Sequence, residues 1–556
     1  MDHGVARNQA TPDGAPRARQ SATPPQQASA ASTHCDTIRG QIMSIATACW
    51  ARESGTGVAL SDERASLTWS VVDDMLNRAT NALLAAQFAP GSRVAVFAEN
   101  AVETVLAHLA GILAGISTVP VNFHLTATEL QYILEDSNAA AVLVGPETAQ
   151  TALEAARAAG VERVIGWRCE SLPGLIHWED FLAAGAPHEP PVDAPPQPFL
   201  HYTSGTTGQP KGAETPPTMF AGGATIAEHI ERVQNNPRMG ERGVSLVVSP
   251  MYHTGPLGSV RSLVAGHSLV VLGRFNAENV LQAIATHKVT STLMVPTHFQ
   301  RLLAVPEAQR RTYDVSSLRV VSHTGAACPV DVKRAMIQWF GPVFFEAYGA
   351  TEAGSTNAIS SADWLTHPGS VGKTLPPFEC LILDDDGAQL PAGEAGGIYF
   401  RDTTGRGIVY HNDAEKTLAA HREPGVFTLG EIGYLDAEGY LYITDRSSDM
   451  VVSGGVNLYP AETEQVLLEH PAVADCAVIG APNREMGEEL KALIILRDGF
   501  GPPAPRELDD FCRRHLAGFK CPRSYEFVAD IGRNTMGKIN KRKLRAPYWP
   551  TDRSIG

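Results

Sequence analysis

The first half of the chain alternates between two patterns of apolar residues. Short apolar runs, of the length of a buried strand, are followed by segments in which apolar residues recur at helical spacing. This alternation is typical of parallel strands connected by crossover helices. It predicts two doubly wound α/β units, with strands over 94–97, 119–121, 141–144, 245–249, 268–272, 292–295 and 320–321, and helices over 104–115 and 128–135.

The pattern changes after Gly369. Short runs that alternate apolar and polar residues, over 379–383, 397–400 and 439–444, are separated by Gly, Pro and Asp. They predict a small antiparallel, β-barrel-like sheet. Beyond Asp445 the pattern predicts a compact α/β unit, with helices over 460–470 and 506–516 and strands over 474–479 and 491–496.

The start of the chain has a different composition. Residues 1–36 are rich in Ala, Pro, Gln, Ser and Thr and nearly free of large apolar residues. Such a segment cannot bury enough surface to offset the entropy of ordering, so it predicts a disordered tail. The whole prediction is an α/β protein with a tail (1–36), a large N-terminal domain (37–445) and a small C-terminal domain (446–556).

Composition and charge exclude several classes of function. With 45 basic and 60 acidic side chains the net charge is −15, which argues against binding to nucleic acid. The longest apolar tract, around 106–121, is interrupted by His108 and is too short for a membrane span. Eight scattered Cys without a CxxC pair predict free thiols in a reducing compartment. We therefore expect a cytoplasmic enzyme that acts on small molecules, with a homodimer left open.

The segment from His201 to Gly212 carries the clearest chemical signal. Its hydroxyl groups and glycines can approach phosphate oxygens closely, and a lysine adds positive charge. These candidates are Thr203, Ser204, Gly205, Thr206, Thr207, Gly208 and Lys211. The segment is not a Walker A loop, because Gly212 follows the lysine where that loop needs Ser or Thr. Composition alone would equally allow a flexible surface turn.

Residues 202–212 resemble the signature of the AMP-forming adenylating enzymes, which include acyl-CoA synthetases, the adenylation domains of peptide synthetases and luciferases. Further segments resemble the other motifs of that family and follow in the same order. They are 348–352 (YGATE), 430–434 (GEIGY), 445–446 (DR), 454–457 (GGVN) with 459–462 (YPAE), and 537–538 (GK).

The resemblance implies that the chain uses ATP, Mg²⁺ and coenzyme A. The glycine-rich loop would hold the phosphates, Glu352 would bind Mg²⁺ and Thr351 would contact the α-phosphate. Tyr348, next to Gly349, would stack on adenine. Opposite this ring, the resemblance implies a wall of small residues, formed by Gly325, Ala326 and Ala327. Glu431 stands where the family usually has the Asp that binds the ribose, and one further methylene puts that contact in doubt.

The resemblance also implies a mobile C-terminal domain. Lys538 would stabilise the charge that develops when the acid attacks ATP. The domain would then rotate about the joint Asp445–Arg446, with Ser448 as the hinge and Arg446 near the nucleotide, and would bring Gly454 and Gly455 to the thiol of coenzyme A. Ser448 replaces the Lys or Asp that is usual there.

The same resemblance makes His253 the gate of the acyl pocket. Neighbouring motif residues would line the pocket: Tyr252, Gly255, Leu257, His323 and Ala350. These segments contain no basic residue that could pair with a second carboxylate. Three segments look more like bacterial fatty-acyl and steroid side-chain CoA synthetases than like the acetyl or amino-acid branches: 323–329 (HTGAACP), 332–336 (VKRAM) and 410–416 (YHNDAEK). This resemblance implies a hydrophobic monocarboxylic acid as the substrate.

The residues leave simpler interpretations open. Thr351 and Glu352 could cap a helix N-terminus, and Tyr348 could be an ordinary core aromatic. The basic run 538–545 could be a solvated surface. At the level of function, the alternatives are an enzyme that loads a carrier protein and a non-catalytic nucleotide-binding relative.

Overall fold

This computed structural model describes residues 50, 53–203, 210–384, 386–446, 449, 451–453, 456–458, 460–483, 486–516, 518–534, 537 and 539–549. The predicted tail lies outside the described residues. So do most of the glycine-rich loop (204–209), Ser448, Gly454, Gly455 and Lys538. Only the main chain of Asp445 and Arg446 is described.

The first sheet has five strands, all parallel to their neighbours. In spatial order they are Thr118–Pro120, Arg93–Phe97, Ala139–Val144, Arg163–Gly166 and Leu175–His177. Its helices are Trp69–Ala85, Val102–Leu113, Ala127–Asp136, Ala149–Ala159 and Trp178–Ala184. Thr126 and Glu129 form a capping box that fixes the start of Ala127–Asp136.

The second sheet has nine strands. Its central strands are parallel, and antiparallel strands close both edges. The spatial order is Lys373–Thr374, Gly354–Ser360, Phe344–Ala350, Val320–His323, Ser291–Met294, Val244–Val247, Ser268–Val271, Val58–Ser61 and Ser66–Thr68. Its helices are Ile226–Gln234, Thr254–Leu257, Arg261–Val264, Ala277–His287, Pro296–Ala304, Glu307–Arg310, Val330–Phe340 and Ser361–Thr366.

One helix joins the cores of the two sheets. All 12 residues of Val102–Leu113 are buried. The cluster around this helix combines Val96 and Leu143 of the first sheet with Leu60 and Val247 of the second. The apolar tract seen in the sequence is therefore the central core helix. Among the residues that the structure describes, no helix is long and apolar enough to span a bilayer.

The third sheet is antiparallel and has five strands. They are Phe378–Leu383, Gly396–Asp402, His421–Glu423, Val426–Leu435 and Leu441–Arg446, and the short helix Ala414–Ala419 precedes His421–Glu423. The antiparallel sheet that the alternating pattern predicts after Gly369 is thus present.

The last part of the chain forms a further five-stranded sheet. Its strands are Val451–Ser453, Val456–Leu458, Val473–Asn483, Gly487–Leu496 and Ser524–Phe527, and its helices are Pro460–Leu468, Pro505–His515 and Lys541–Arg545. Both predicted helices and both predicted strands of this unit are confirmed. The mixed α/β fold with a large first part and a small last part is confirmed as well.

The basic run near the C-terminal end is only partly a solvated surface. Lys541 is buried and forms an ion pair with Glu464 at 2.9 Å. Arg545 forms an ion pair with Glu488, also at 2.9 Å. The cysteines of the described residues are all free thiols, as predicted.

Candidate active site

A two-stranded hairpin holds both ends of the glycine-rich loop. Strand Leu200–Thr203 pairs antiparallel with strand Lys211–Glu214, so Thr203 lies opposite Lys211. The Thr203 hydroxyl donates a hydrogen bond to Glu352 Oε1 at 3.1 Å. Two motifs that are far apart in the sequence therefore meet at the base of this loop.

Glu352 lies in a turn between the antiparallel strands Phe344–Ala350 and Gly354–Ser360. The alternative that Thr351 and Glu352 cap a helix is therefore wrong. The turn depends on glycine, because a Cβ on Gly349 would lie 1.9 Å from the carbonyl oxygen of Gly354. The hydroxyl of Thr254 donates to the hydroxyl of Thr351 at 3.1 Å, which links the turn to the segment of the predicted gate.

The oxygens at this turn fit a magnesium ion. Mg²⁺ prefers carboxylate and other oxygen ligands and usually keeps phosphates and water in its coordination shell. Glu352 supplies a carboxylate beside the Thr203 hydroxyl. The described residues contain no cluster of three or more His, Cys, Asp or Glu suited to a metal, and a phosphate-bound Mg²⁺ does not need one.

Burial, followed by the negative charges of Glu352 and Asp413, raises the pKa of the nearby Tyr410 to about 12.

A second group of predicted residues lines a cavity of about 320 Å³. The Tyr348 hydroxyl donates to Glu431 Oε2 at 2.8 Å, so the two residues expected at adenine and ribose are directly connected. The predicted small residues lie in the same wall: Gly325, Ala326, Ala327 and Gly349. Gly325 has φ +91°, which favours glycine at this position. Tyr348 is half-buried and borders this cavity, unlike an ordinary core aromatic.

Glu431 lies on strand Val426–Leu435, in register with Arg446 of the neighbouring strand. The main chain at the predicted domain joint is therefore one strand away from the predicted ribose site. The longer side chain of Glu431, which put the ribose contact in doubt, here reaches the tyrosine hydroxyl.

The small C-terminal part closes the other side of the same cavity. Its lining includes Asp449, Ala461, Glu464, Gln465, Arg533, Gly537 and Lys541. Gly537 directly precedes Lys538, and a Cβ on this glycine would lie 2.8 Å from Thr297 Cγ2. The residue next to the predicted catalytic lysine therefore borders the cavity that contains Tyr348 and Glu431.

Arg533 anchors this glycine. Its Nη1 donates to the Gly537 carbonyl at 2.6 Å. Its Nε and Nη2 donate to the carboxylate of Asp475 at 2.6 and 2.7 Å. The turn before Lys538 is thus tied to strand Val473–Asn483 by a two-pronged ion pair.

The predicted acyl-pocket residues divide into two groups. Tyr252 and His253 lie before helix Thr254–Leu257, with ring centroids 4.3 Å apart, and Tyr252 also packs against Phe123 at 5.4 Å. A Cβ on Gly255 would lie 3.2 Å from Leu293 Cδ1. Ala350, half-buried, ends strand Phe344–Ala350.

Leu257 and His323 belong to the second group, since both side chains are fully buried. His323 lies 3.7 Å from Glu346, which forms a buried ion pair with Lys333. Burial, followed by the charge of Lys333, holds the pKa of His323 well below its usual value. Both side chains are enclosed by protein, and their place in the lining of the acyl pocket stays a prediction.

The structure also brings together residues near the site that lie outside every motif. Tyr410 lies under Lys211, whose Nζ is 5.9 Å from the ring centroid. Phe123 extends the aromatic wall of Tyr252. Arg261 lies four residues beyond Leu257, just outside the motif segment that contains no basic residue. The sequence does distinguish Arg261, because it is the only Lys, Arg, Asp or Glu between Arg242 and Arg274.

Comparison with known families gives two matches. Residues 48–407 match the model described as AMP-binding enzyme, and residues 462–538 match the one described as AMP-binding enzyme C-terminal domain.

Individual relatives align over nearly the whole chain. A fatty acid–[acyl-carrier-protein] ligase from Streptomyces coeruleorubidus is 30% identical and covers 90% of this chain and 96% of its own. A 3-[(3aS,4S,7aS)-7a-methyl-1,5-dioxo-octahydro-1H-inden-4-yl]propanoyl:CoA ligase from Rhodococcus jostii is 32% identical, with 89% and 96% covered. Among solved structures, the anthranilate CoA ligase AuaEII in complex with anthranoyl-AMP has a TM-score of 0.77 and 26% identity, with 92% and 98% covered.

Proposed function

Since the chain belongs to the family of AMP-binding enzymes, we propose that it activates a hydrophobic monocarboxylic acid, of the fatty, alicyclic or steroid side-chain type. ATP would convert the acid to an acyl-adenylate with release of pyrophosphate, and coenzyme A would then take up the acyl group as a thioester. The reaction class follows from the family: the chain is an AMP-forming acid–thiol ligase that uses ATP, Mg²⁺ and coenzyme A.

One observation carries this proposal. A single cavity has Tyr348 and Glu431 on one side and Gly537, the neighbour of Lys538, on the other. A nucleotide bound against Tyr348 would therefore face the segment that carries the lysine. Positioning and neutralisation of charge supply most of the catalysis in reactions of this type, so this juxtaposition matters more than any acid–base pair.

Each part of the site has a role in this proposal. Thr203 and Lys211, with the loop between them, would hold the phosphates. Glu352 and Thr203 would hold Mg²⁺, which would supply positive charge next to the phosphates. Thr351 contacts the α-phosphate, Tyr348 stacks on adenine and Glu431 accepts hydrogen bonds from the ribose hydroxyls.

Lys538 is the proposed catalytic residue of the first half-reaction. Its ammonium group would neutralise the negative charge that accumulates between the incoming carboxylate and the α-phosphate. The second half-reaction would need the C-terminal domain (446–556) to rotate on the large domain (37–445) about Asp445 and Ser448. Gly454 and Gly455 would then lie beside the thiol.

The aromatic lining supports an apolar acid. Phe123 and Tyr252 form a wall next to His253, the proposed gate. The names of the relatives also support this class, since fatty and bicyclic alkanoic acids occur among their substrates.

A carrier protein is the second candidate for the acyl acceptor. The name of the relative from Streptomyces coeruleorubidus includes an acyl-carrier protein, and the alignment covers 96% of that relative. A phosphopantetheine arm carries the same thiol as coenzyme A, so the nucleotide and acyl sites would be unchanged.

The deciding experiment measures ATP–pyrophosphate exchange with a panel of carboxylic acids, followed by product analysis with coenzyme A or with a holo-carrier protein. We expect exchange with apolar acids and a CoA thioester as the product. Exchange followed by acylation of the carrier protein alone would select the second acceptor. Tight binding of ATP without exchange for any acid would contradict the proposal and support a non-catalytic relative.

A further inference from the structure

Arg261 is a half-buried basic residue at the border of a large apolar core. It begins the short helix Arg261–Val264, and Val260, Leu263 and Val264 belong to the buried cluster around it. Burial lowers the pKa of its guanidinium, and no carboxylate counteracts this effect. The group nevertheless stays charged, because arginine is not deprotonated in proteins.

The guanidinium is only partly satisfied by protein groups. Nε donates to the Gly258 carbonyl at 3.3 Å and Nη1 donates to the Met219 carbonyl at 3.1 Å. Within the described ranges, Arg261 forms no ion pair and its Nη2 has no hydrogen-bond partner. A partly desolvated cation without a counter-charge gains from an oxygen acceptor, so this position suits one that arrives with a ligand.

The side chain runs back along its own helical segment towards the proposed acyl site. A Cβ on Gly258 would lie 3.1 Å from Arg261 Nη2, so the head group covers this glycine. One turn earlier, a Cβ on Gly255 would touch Leu293 and would lie 4.0 Å from Thr324 Cγ2, beside the small-residue wall of the nucleotide cavity. Both glycines are therefore closely covered, Gly258 by the guanidinium and Gly255 by Leu293.

Met219 fixes the other side of the head group. Its carbonyl accepts the bond from Arg261, and its Cγ would lie 2.9 Å from a Cβ on Gly354. The neighbouring Thr218 hydroxyl donates to the Ala353 carbonyl at 3.3 Å. The guanidinium therefore lies between the segment that starts at His253 and the turn that follows Ala350, both of which contribute to the proposed acyl site.

We propose that Arg261 binds an oxygen acceptor at the distal end of the acid, so the preferred substrate has an apolar body and a carbonyl or carboxylate group in its tail. This inference rests on the proposed function and specifies the tail of the substrate. A carboxylate in the tail would make the substrate a dicarboxylic acid instead of the monocarboxylic acid proposed above.

The test compares acids that differ only in the tail. Hexanoic, octanoic and decanoic acid, their penultimate ketones and the corresponding α,ω-dicarboxylic acids are assayed by ATP–pyrophosphate exchange. We expect an oxygenated acid of at least one length to exceed the plain acid in kcat/KM by about ten- to a hundredfold, the effect of a hydrogen bond to a charged group. Comparison of the ketones with the diacids shows whether Arg261 binds a carbonyl or a carboxylate oxygen.

Variants connect this preference to the arginine. Arg261→Met should abolish the preference, and Arg261→Lys, which keeps the charge, should retain part of it. Arg232→Met is the matched control, because Arg232 also donates to a main-chain carbonyl, that of Ala221 at 3.2 Å, but its side chain is 56% exposed and pairs with Glu228. Melting temperatures establish that each variant is folded.

Two outcomes would overturn the inference. One is a wild-type preference for plain acids. The other is an unchanged preference in Arg261→Met. If no acid supports exchange, the proposed function fails, and calorimetric titration of the same acids decides this inference separately. Stronger binding of the oxygenated acids that is lost in Arg261→Met would then support the inference. Equal binding of all the acids would refute it.

Discussion

The hydrogen bond between Tyr348 and Glu431 connects two residues that are separated by 83 positions. It explains how a glutamate can occupy a position where the family usually has the shorter aspartate. The additional methylene allows the carboxylate to reach the tyrosine hydroxyl, which holds the proposed ribose acceptor against the proposed adenine platform.

Removing this hydrogen bond should weaken nucleotide binding without affecting the chemical step. For Tyr348→Phe, which keeps the ring, we expect KM for ATP to rise about tenfold with kcat within twofold, since a hydrogen bond to a charged group contributes about 1.5–3 kcal/mol. Tyr434→Phe is the control, because its ring stacks on Tyr442 instead. An unchanged KM for ATP would show that the bond has no part in binding.

Glu352 is the residue on which the magnesium assignment depends. For Glu352→Gln we expect the Mg²⁺ concentration for half-maximal exchange to rise about tenfold or more, because an amide oxygen is a much weaker ligand for a hard cation. Glu214→Gln, on the same hairpin but paired with His411, should leave the Mg²⁺ dependence unchanged. Equal Mg²⁺ dependence in both variants would contradict the assignment.

At the scale of elements, the turn before Lys538 is held by one ion pair. Arg533 bridges Asp475 and the Gly537 carbonyl. Lysine at position 533 keeps the charge but cannot make the two-pronged contact. The turn should then lose its fixed position relative to the central sheet of the C-terminal part.

A change that acts through this turn should affect the two half-reactions differently. For Arg533→Lys we expect acyl-adenylate formation to fall about tenfold, because misplacement of a charged group by a fraction of an ångström is costly. Thioester formation from a supplied acyl-adenylate should stay within twofold. Arg513→Lys, which alters an exposed pair with Asp509, serves as control. Equal losses in both half-reactions would indicate a general folding defect.

Local patterns were sufficient for most elements. The run predicted over 94–97 is strand Arg93–Phe97, and the helix predicted over 104–115 is Val102–Leu113. They were insufficient for the hairpin Phe344–Ala350 and Gly354–Ser360, where small residues interrupt the alternation and the pairing is set by a close approach of Gly349 and Gly354.

The same limit applies to the candidate site, where motifs identify residues but not the neighbours that surround them. Motif resemblance put Tyr348 and Glu431 at one nucleotide, and the structure brings them into contact. Resemblance carried no information about Arg261, whose surroundings come from Met219 and Gly258 rather than from a motif. It also gave no indication that His323 is fully buried, because burial depends on neighbours such as Lys333 that no local sequence pattern identifies.

At the scale of the whole molecule, buried histidines make stability depend on pH. Burial is the largest cause that lowers the pKa of His108, His201 and His298 from 6.5 to about 3. The unfolded chain therefore binds more protons than the folded chain between about pH 3 and pH 6.5. The free energy of unfolding should fall as the pH decreases through this window and should be nearly constant above it.

Urea denaturation at pH 7 and pH 5 measures this loss. Each of these histidines should contribute on the order of 1–2 kcal/mol over this interval, given about 1.4 kcal/mol per pH unit below 6.5. His108→Gln should reduce the difference between the two pH values, whereas replacement of the exposed His188 by Gln should not. Equal stability at both pH values would contradict the buried neutral state.

The second sheet contains a strand from the start of the described chain, Val58–Ser61. Leu60 of strand Val58–Ser61 pairs with Leu269, about 200 residues later. At a synthesis rate of about 5–20 residues per second, this strand leaves the ribosome some 10–40 seconds before its partner exists. Its edge towards Leu269 is unpaired throughout that interval, so heterologous production should benefit from abundant holdase chaperones.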